Sequence, residues 1–185
     1  PFSRAQEVYF DFLPVRDYLD SGIWTFRLTP ERIVTGRYDM WLPSRGLLNP
    51  STRFLRSVPE TTLTIPSTAA NVISVGAYDD SYRAYADFSG RGFTRQTQQV
   101  KPDLAARLGG GYEAVTGTSF AAPFVTGSAA LLMQWGILQG NDPFLYGEKV
   151  KAYFTRGARH LPGYDVWPNE RLGYGTLCVR DSLPV

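Results

Sequence analysis

Residues 115–141 carry no charged side chain, and this stretch limits the possible folds more than any other. On length alone it could cross a bilayer. Thr116, Thr118, Ser119, Pro123, Thr126, Ser128 and Gln134 interrupt it, however, and small residues dominate one side. That pattern predicts a helix over 119–138, buried on all sides inside a soluble domain, with no membrane span. The rest of the composition suits such a domain: 43% hydrophobic and 19% charged residues over 185 positions exclude an intrinsically disordered chain.

The neighbouring segments give the helix a sheet to pack on. Val72, Ile73, Val75 and Ala77 form a β-branched run closed by Asp79 and Asp80, the pattern of a fully buried strand in a parallel α/β sheet. Residues 84–88 read as a weaker strand, 89–94 as a Gly-rich turn and 109–111 as a flexible loop. A second amphipathic helix is expected over 145–156, with Val150, Tyr153 and Phe154 on one face and Gly157 as its stop. Before residue 60 the pattern is different. Val8, Phe10 and Phe12, then Trp24, Phe26 and Leu28, then Tyr38, Met40 and Leu42 alternate as in one-sided antiparallel strands. Three strands bury little surface, so this segment is expected to complete a sheet whose other strands lie elsewhere. Its aromatics Tyr9, Phe10, Trp24 and Trp41 read as core rather than as a ligand platform. Asn49, Pro50, Ser51, Ser57 and Pro59 mark 47–59 as the boundary between the two parts.

Charge and cysteine content exclude further classes. The net charge is +2, and the 19 basic residues, sixteen of them Arg, are scattered singly from Arg4 to Arg180. A nucleic-acid binder would gather them into runs or stripes. One cysteine, Cys178, rules out an internal disulfide and a multi-cysteine zinc site, and reads as a small buried apolar residue. No dense carboxylate loop of the calcium-binding kind is visible, so calcium stays open and no metal site is assigned. Pro1 opens the sequence without an initiating methionine or a signal-peptide pattern, as expected of a processed or partial chain.

Chemistry concentrates at Gly117-Thr118-Ser119-Phe120-Ala121-Ala122-Pro123, where a flexible loop meets the uncharged helix. A serine at a helix N-terminus is exposed. Its unpaired backbone N–H, aided by the positive end of the helix dipole, can stabilise an oxyanion as a carbonyl is attacked. Gly117 would let a substrate backbone come close, and Ala121 and Ala122 would let the helix pack tightly on a sheet. Pro123 is expected near the first turn, where few N–H groups have helical partners. Taken alone, a serine in this place more often caps a helix.

The surrounding residues point further. Gly117-Thr118-Ser119 with Ala121-Ala122-Pro123, Val125, Gly127 and 129–132 resembles the Gly-Thr-Ser-x-Ala-x-Pro signature of the subtilisin-like serine proteases. Residues 71–78 resemble that family's buried strand ending in a Val-Gly-Ala turn, and Phe88-Ser89-Gly90-Arg91-Gly92 resembles its Phe-Ser-x-Arg-Gly loop. Lys101-Pro102-Asp103-Leu104-Ala105-Ala106 resembles its Lys-Pro-Asp-x-x-Ala segment, and Gly173-Tyr174-Gly175 with Leu177 its closing motif. Trp135-Gly136-Ile137, Gly140-Asn141-Asp142-Pro143 and Lys151-Ala152-Tyr153 look most similar to the clostridial Csp-like subtilases.

The resemblance implies that residues 61–185 are the C-terminal part of an α/β, parallel-sheet catalytic domain, and residues 1–60 the end of a β-sandwich insertion. It implies a serine endopeptidase that needs no cofactor and acts on peptides or proteins. Ser119 is its nucleophile; the Ser119 N–H is an oxyanion donor with Thr118 as helper, and Gly117, Ala122 and Pro123 support the motif. It implies an extracellular or spore-associated location. In the family's order the catalytic Asp and His and the oxyanion-hole Asn all precede the serine, whereas the one histidine here, His160, follows it. The chain alone is therefore expected to be inactive, to pair with the missing N-terminal half or with itself, and to bind no nucleic acid. Where many relatives continue into Pro-Gly, this chain has Arg107-Leu108-Gly109-Gly110-Gly111, an altered approach to Ser119.

Three other readings compete. In an α/β-hydrolase, Gly117-x-Ser119-x-Ala121 would be a nucleophile elbow, His160 the base, and Asp142 or Glu148 the acid. In a pseudoprotease the same subtilase fold would regulate or bind a partner without catalysis. A sandwich-type binding module would apply to residues 1–60 alone. Asp79, Asp80, Asp87 and Asp103 have no matching catalytic motif and read as turn or surface acids.

Overall fold

The chain divides into two units, residues 1–52 and 53–185. The computed structural model describes residues 7–43, 45–107 and 117–183.

In the second unit β1 (Val75–Asp79) takes only the end of the β-branched run, leaving Val72 and Ile73 before it and burying only Gly76 and Ala77 fully rather than the whole strand; the short β2 (Ala84–Tyr85) and β3 (Leu104–Arg107) lie on its two sides in the order β2-β1-β3. β1 and β3 are parallel, with Val75 opposite Leu104 and Ala77 opposite Ala106. β2 returns antiparallel, placing Tyr85 opposite Tyr78. The far edge of β3 is covered by the closing Gly-Tyr-Gly segment. Tyr174 N–H donates to Asp103 O at 2.9 Å, Ala105 N–H to Gly175 O at 2.9 Å and Leu177 N–H to Ala105 O at 2.8 Å. Glycine is required there: Gly173 has φ +61°, and a Cβ on it would lie 2.1 Å from Pro102 O.

The uncharged stretch forms α1 (Thr118–Met133), which runs into a π-helical turn over Gln134–Leu138. Ala121, Val125, Ser128 and Leu132, spaced as one helical face, are buried, and α1 packs on β1 and β3. Burial on all sides, expected from composition, is not what the structure shows. Leu131 is 56% and Leu138 80% exposed, with Phe120, Phe124 and Met133 also open. The described residues cover one face of this helix and leave its other apolar side chains bare. By length and composition the span Thr118–Leu138 could cross a membrane, a test that core helices of soluble domains also pass.

α2 (Gly147–Arg156) buries Val150 and Phe154 and packs on α1 and on the short α3 (Val179–Ser182). Each fully buried side chain such as Phe154 or Leu132 contributes roughly 1.5–3 kcal/mol. Asp142, between the π-helical turn and α2, accepts from Lys149 Nζ at 2.8 Å and from the Tyr153 hydroxyl at 3.1 Å. Cys178 caps α3 half-buried and as a free thiol, rather than fully buried.

The first unit departs from expectation. Residues 7–43 form no strand, only an isolated Val15–Tyr18 bridge. The alternation is still expressed in side chains. Phe12 meets Trp24 with ring centroids 5.4 Å apart and Phe10 meets Phe26 at 5.7 Å, two steps back on one segment matching two forward on the other. That is the face of an antiparallel pair without its backbone ladder, as befits two segments lacking further strands to pair with. Phe10 and Trp24 remain about half exposed and Tyr9 and Trp41 more so, so none is core within this unit.

Candidate active site

Gly117 precedes α1 with φ +130° and ψ +145°, a conformation L side chains rarely adopt, which explains glycine at this point of the motif. It turns the chain so that Thr118 and Ser119 are the first two residues of α1. Ser119 is exposed and Thr118 half-buried. Phe120 N–H is satisfied by Gly117 O at 3.1 Å, while no described residue accepts from the Ser119 N–H or bonds to its Oγ. Ser119 thus combines an accessible hydroxyl with a donor at the positive end of a long helix. Ala121 is fully buried and Ala122 half-buried, seating the first turn on the sheet. Pro123 lies deeper than the first turn: it is the sixth helical residue, where an ordinary residue would donate to Ser119 O.

An open cavity of about 360 Å³ adjoins this helix start, and Thr118 forms part of its lining. Thr62, Thr64, Ser67, Ser74 and Ser89 add hydroxyls, and Asp87 and Arg91 add one charge of each sign. The walls are tied internally. Ser67 and Ser74 share a hydroxyl–hydroxyl bond, the Tyr85 hydroxyl donates to Ser89 O, and Ala77 N–H donates to Ser89 Oγ at 3.0 Å. Burial pushes the Tyr85 phenol pKa up, which keeps it a protonated donor. The Arg91 guanidinium lies 5.7 Å over the Tyr85 ring. Sequence reasoning passed over Thr62, Thr64 and Ser67, whose one mark is a local density of hydroxyls over 61–68, and noted Ser74, Ser89 and Arg91 only as part of strand and loop motifs.

The structure does not bring His160 to Ser119. His160 is exposed and stacks flat on Trp167, centroids 4.4 Å apart and planes 1° from parallel. Asp142 is held by Lys149 and Tyr153, and Glu148 is exposed, so neither backs His160 as the hydrolase reading needs. Asp79 is a turn acid, accepting from Ser81 and Tyr82 N–H, and Asp80 pairs with Arg107 at the surface.

Asp103 is different and corrects the expectation of a surface acid: it is 1% exposed. Lys101 Nζ at 2.7 Å, Lys151 Nζ at 2.6 Å and Ser74 N–H at 2.7 Å converge on its carboxyl group. Burial pulls the Lys101 pKa down, opposed by its bond to Asp103. The Lys-Pro-Asp motif is thereby a buried electrostatic joint at the start of β3. Among the described residues no group of His, Cys, Asp and Glu is arranged to hold a metal ion. The Gly-rich loop 109–111 lies outside the described residues.

A mixed sheet with a parallel β1–β3 pair, packed on a helix that begins with an exposed serine in a Gly-Thr-Ser turn, is consistent with part of a subtilisin-like domain. The subtilase family model matches residues 55–175, and the chain belongs to that family, which needs no cofactor. Among solved structures, the Clostridium perfringens CspB protease matches 73% of this chain with a TM-score of 0.68 and 43% identity. The serine protease AprX of Bacillus subtilis is 29% identical over 66% of the chain, and the subtilase-type proteinase RRT12 of Saccharomyces cerevisiae is 32% identical over 51%. The chain spans 30% of the CspB chain, 32% of AprX and 19% of RRT12.

Proposed function

We propose that the polypeptide containing this chain is a serine endopeptidase in which Ser119 Oγ attacks the peptide carbonyl. The exposed Ser119 at the positive end of α1, turned out by Gly117 at φ +130°, is the observation that carries this reading. The base is a histidine outside this chain, oriented by an upstream aspartate, since the only histidine here stacks on Trp167. The Ser119 N–H is one oxyanion donor, Thr118 helps, and an upstream asparagine is the other. The cavity beside Thr118 receives part of the peptide. Residues 1–60 are the end of a sandwich insertion, α1 is a core helix rather than a membrane span, and the enzyme works outside the cytoplasm or on a spore.

Fluorophosphonate labelling of the full-length polypeptide tests this reading. Labelling that disappears in Ser119→Ala is expected. A folded but unreactive polypeptide would replace it with a pseudoprotease that keeps the fold for regulation or binding.

A further inference from the structure

Lysine is rare in this chain, three residues against sixteen arginines, and every one sets its ammonium on a carboxylate. Two of the three share Asp103, so a buried joint holds two cations and one anion. The two are not equivalent. The Lys101 side chain is 1% exposed and follows the same turn as Asp103; Lys151 is 24% exposed and arrives from α2, far along the chain. Charge balance needs one ammonium, and Lys101 already supplies it.

The second ammonium therefore has another task, and its remaining contacts identify it. Lys151 Nζ lies 3.2 Å from Ala70 O and 3.4 Å from Val72 O, and Lys101 Nζ donates to the same Val72 carbonyl at 2.8 Å. Those carbonyls sit between Ser67 and Ser74, the bonded pair of hydroxyls that forms one wall of the cavity shared with Thr118. Among the described residues, residues 70–72 lie outside the β1–β3 ladder, which starts at Val75. A compact ammonium with three donors can bind two carbonyls and a carboxylate at once.

We infer that Lys151 is a positioning residue: it anchors residues 67–74 to α2 and so fixes the wall against which a peptide lies beside Ser119. This rests on the protease reading for its consequence, but not for its geometry. Lys151→Met leaves the neutral Lys101–Asp103 pair intact, so the fold should survive, and Lys151→Arg keeps the charge. In the full-length polypeptide, Lys151→Met should speed amide hydrogen exchange in 67–74 by about tenfold or more while the α1 amides keep their rates. Peptide KM should rise about five- to tenfold with kcat within about twofold, because the wall binds substrate without touching the reacting atoms. Lys151→Arg should restore part of both. Unchanged exchange in 67–74, or a uniform rise across 67–74 and α1 with kcat falling alongside, would overturn the inference. If the unsubstituted polypeptide does not label with fluorophosphonate, the protease reading fails and the exchange comparison alone decides whether Lys151 holds the wall.

Discussion

At Asp103, three donors hold a carboxylate that has 1% of its surface exposed. Replacing it with asparagine would leave two ammoniums without a counter-charge, that of Lys101 fully buried and that of Lys151 partly so. Asp103→Asn should therefore cost roughly 3–5 kcal/mol of stability in the full-length polypeptide. Asp80→Asn is the control: Asp80 meets Arg107 at 3.5 Å with half its side chain in water, and its loss should cost about 1 kcal/mol or less. Urea unfolding of the two variants measures the difference, and equal losses would refute the buried-joint account. The motif was legible as a motif, but Asp103 reads as a turn acid from sequence because nothing local announces Lys151, whose contact exists only after α2 docks. The placement of Ser119, exposed at a helix start, was legible for the opposite reason. Its turn, helix start and small neighbours are all contiguous, so local rules sufficed.

Helices and buried strands followed the same logic among the elements. α1 and α2 were readable because an uncharged run and a 3.6-residue period are properties of consecutive residues, whereas β1 was readable in its place but not in its bounds. Strands over residues 7–43 were not, since a ladder depends on partners as well as on alternation; only the Phe10, Phe12, Trp24 and Phe26 face is present. The connection between α1 and α2 carries its own pH dependence. The bond from Lys149, joined by that from Tyr153, lowers the Asp142 pKa below its ordinary 3.8, and the bond to Asp142 raises that of Lys149 above 10.5. The carboxylate's contribution is complete above pH 3.8 and is lost as pH falls through the lowered value. The ammonium's is complete below pH 10.5 and is lost as pH rises through the raised value. The Tm gap between the unsubstituted polypeptide and Asp142→Asn should hold steady across neutral pH and close at the acid end. A gap that persists unchanged there would contradict the assignment.

For the molecule as a whole, the bare apolar side chains of α1 matter most. Leu131, Met133 and Leu138 are large apolar side chains left exposed on more than one side of this helix. Sequence alone recognised the helix as a core element and placed its cover on all sides. The described residues supply one side, and we propose that another segment of the longer polypeptide, or another copy, covers the rest. The 185-residue chain by itself should self-associate, and addition of the upstream polypeptide should convert it to a one-to-one complex on size-exclusion chromatography. A stable monomer at high concentration would count against that.

In the proposed function the same division decides activity: Ser119 of this chain is the nucleophile, and its base and second oxyanion donor come from upstream. The most direct measurement is the mass shift at Ser119 after fluorophosphonate treatment, read on the full-length polypeptide and on the 185-residue chain alone. The account predicts complete modification of Ser119 in the former and none in the latter. Modification of the isolated chain would mean that a group within it, His160 included, activates Ser119, and would contradict the account at its centre.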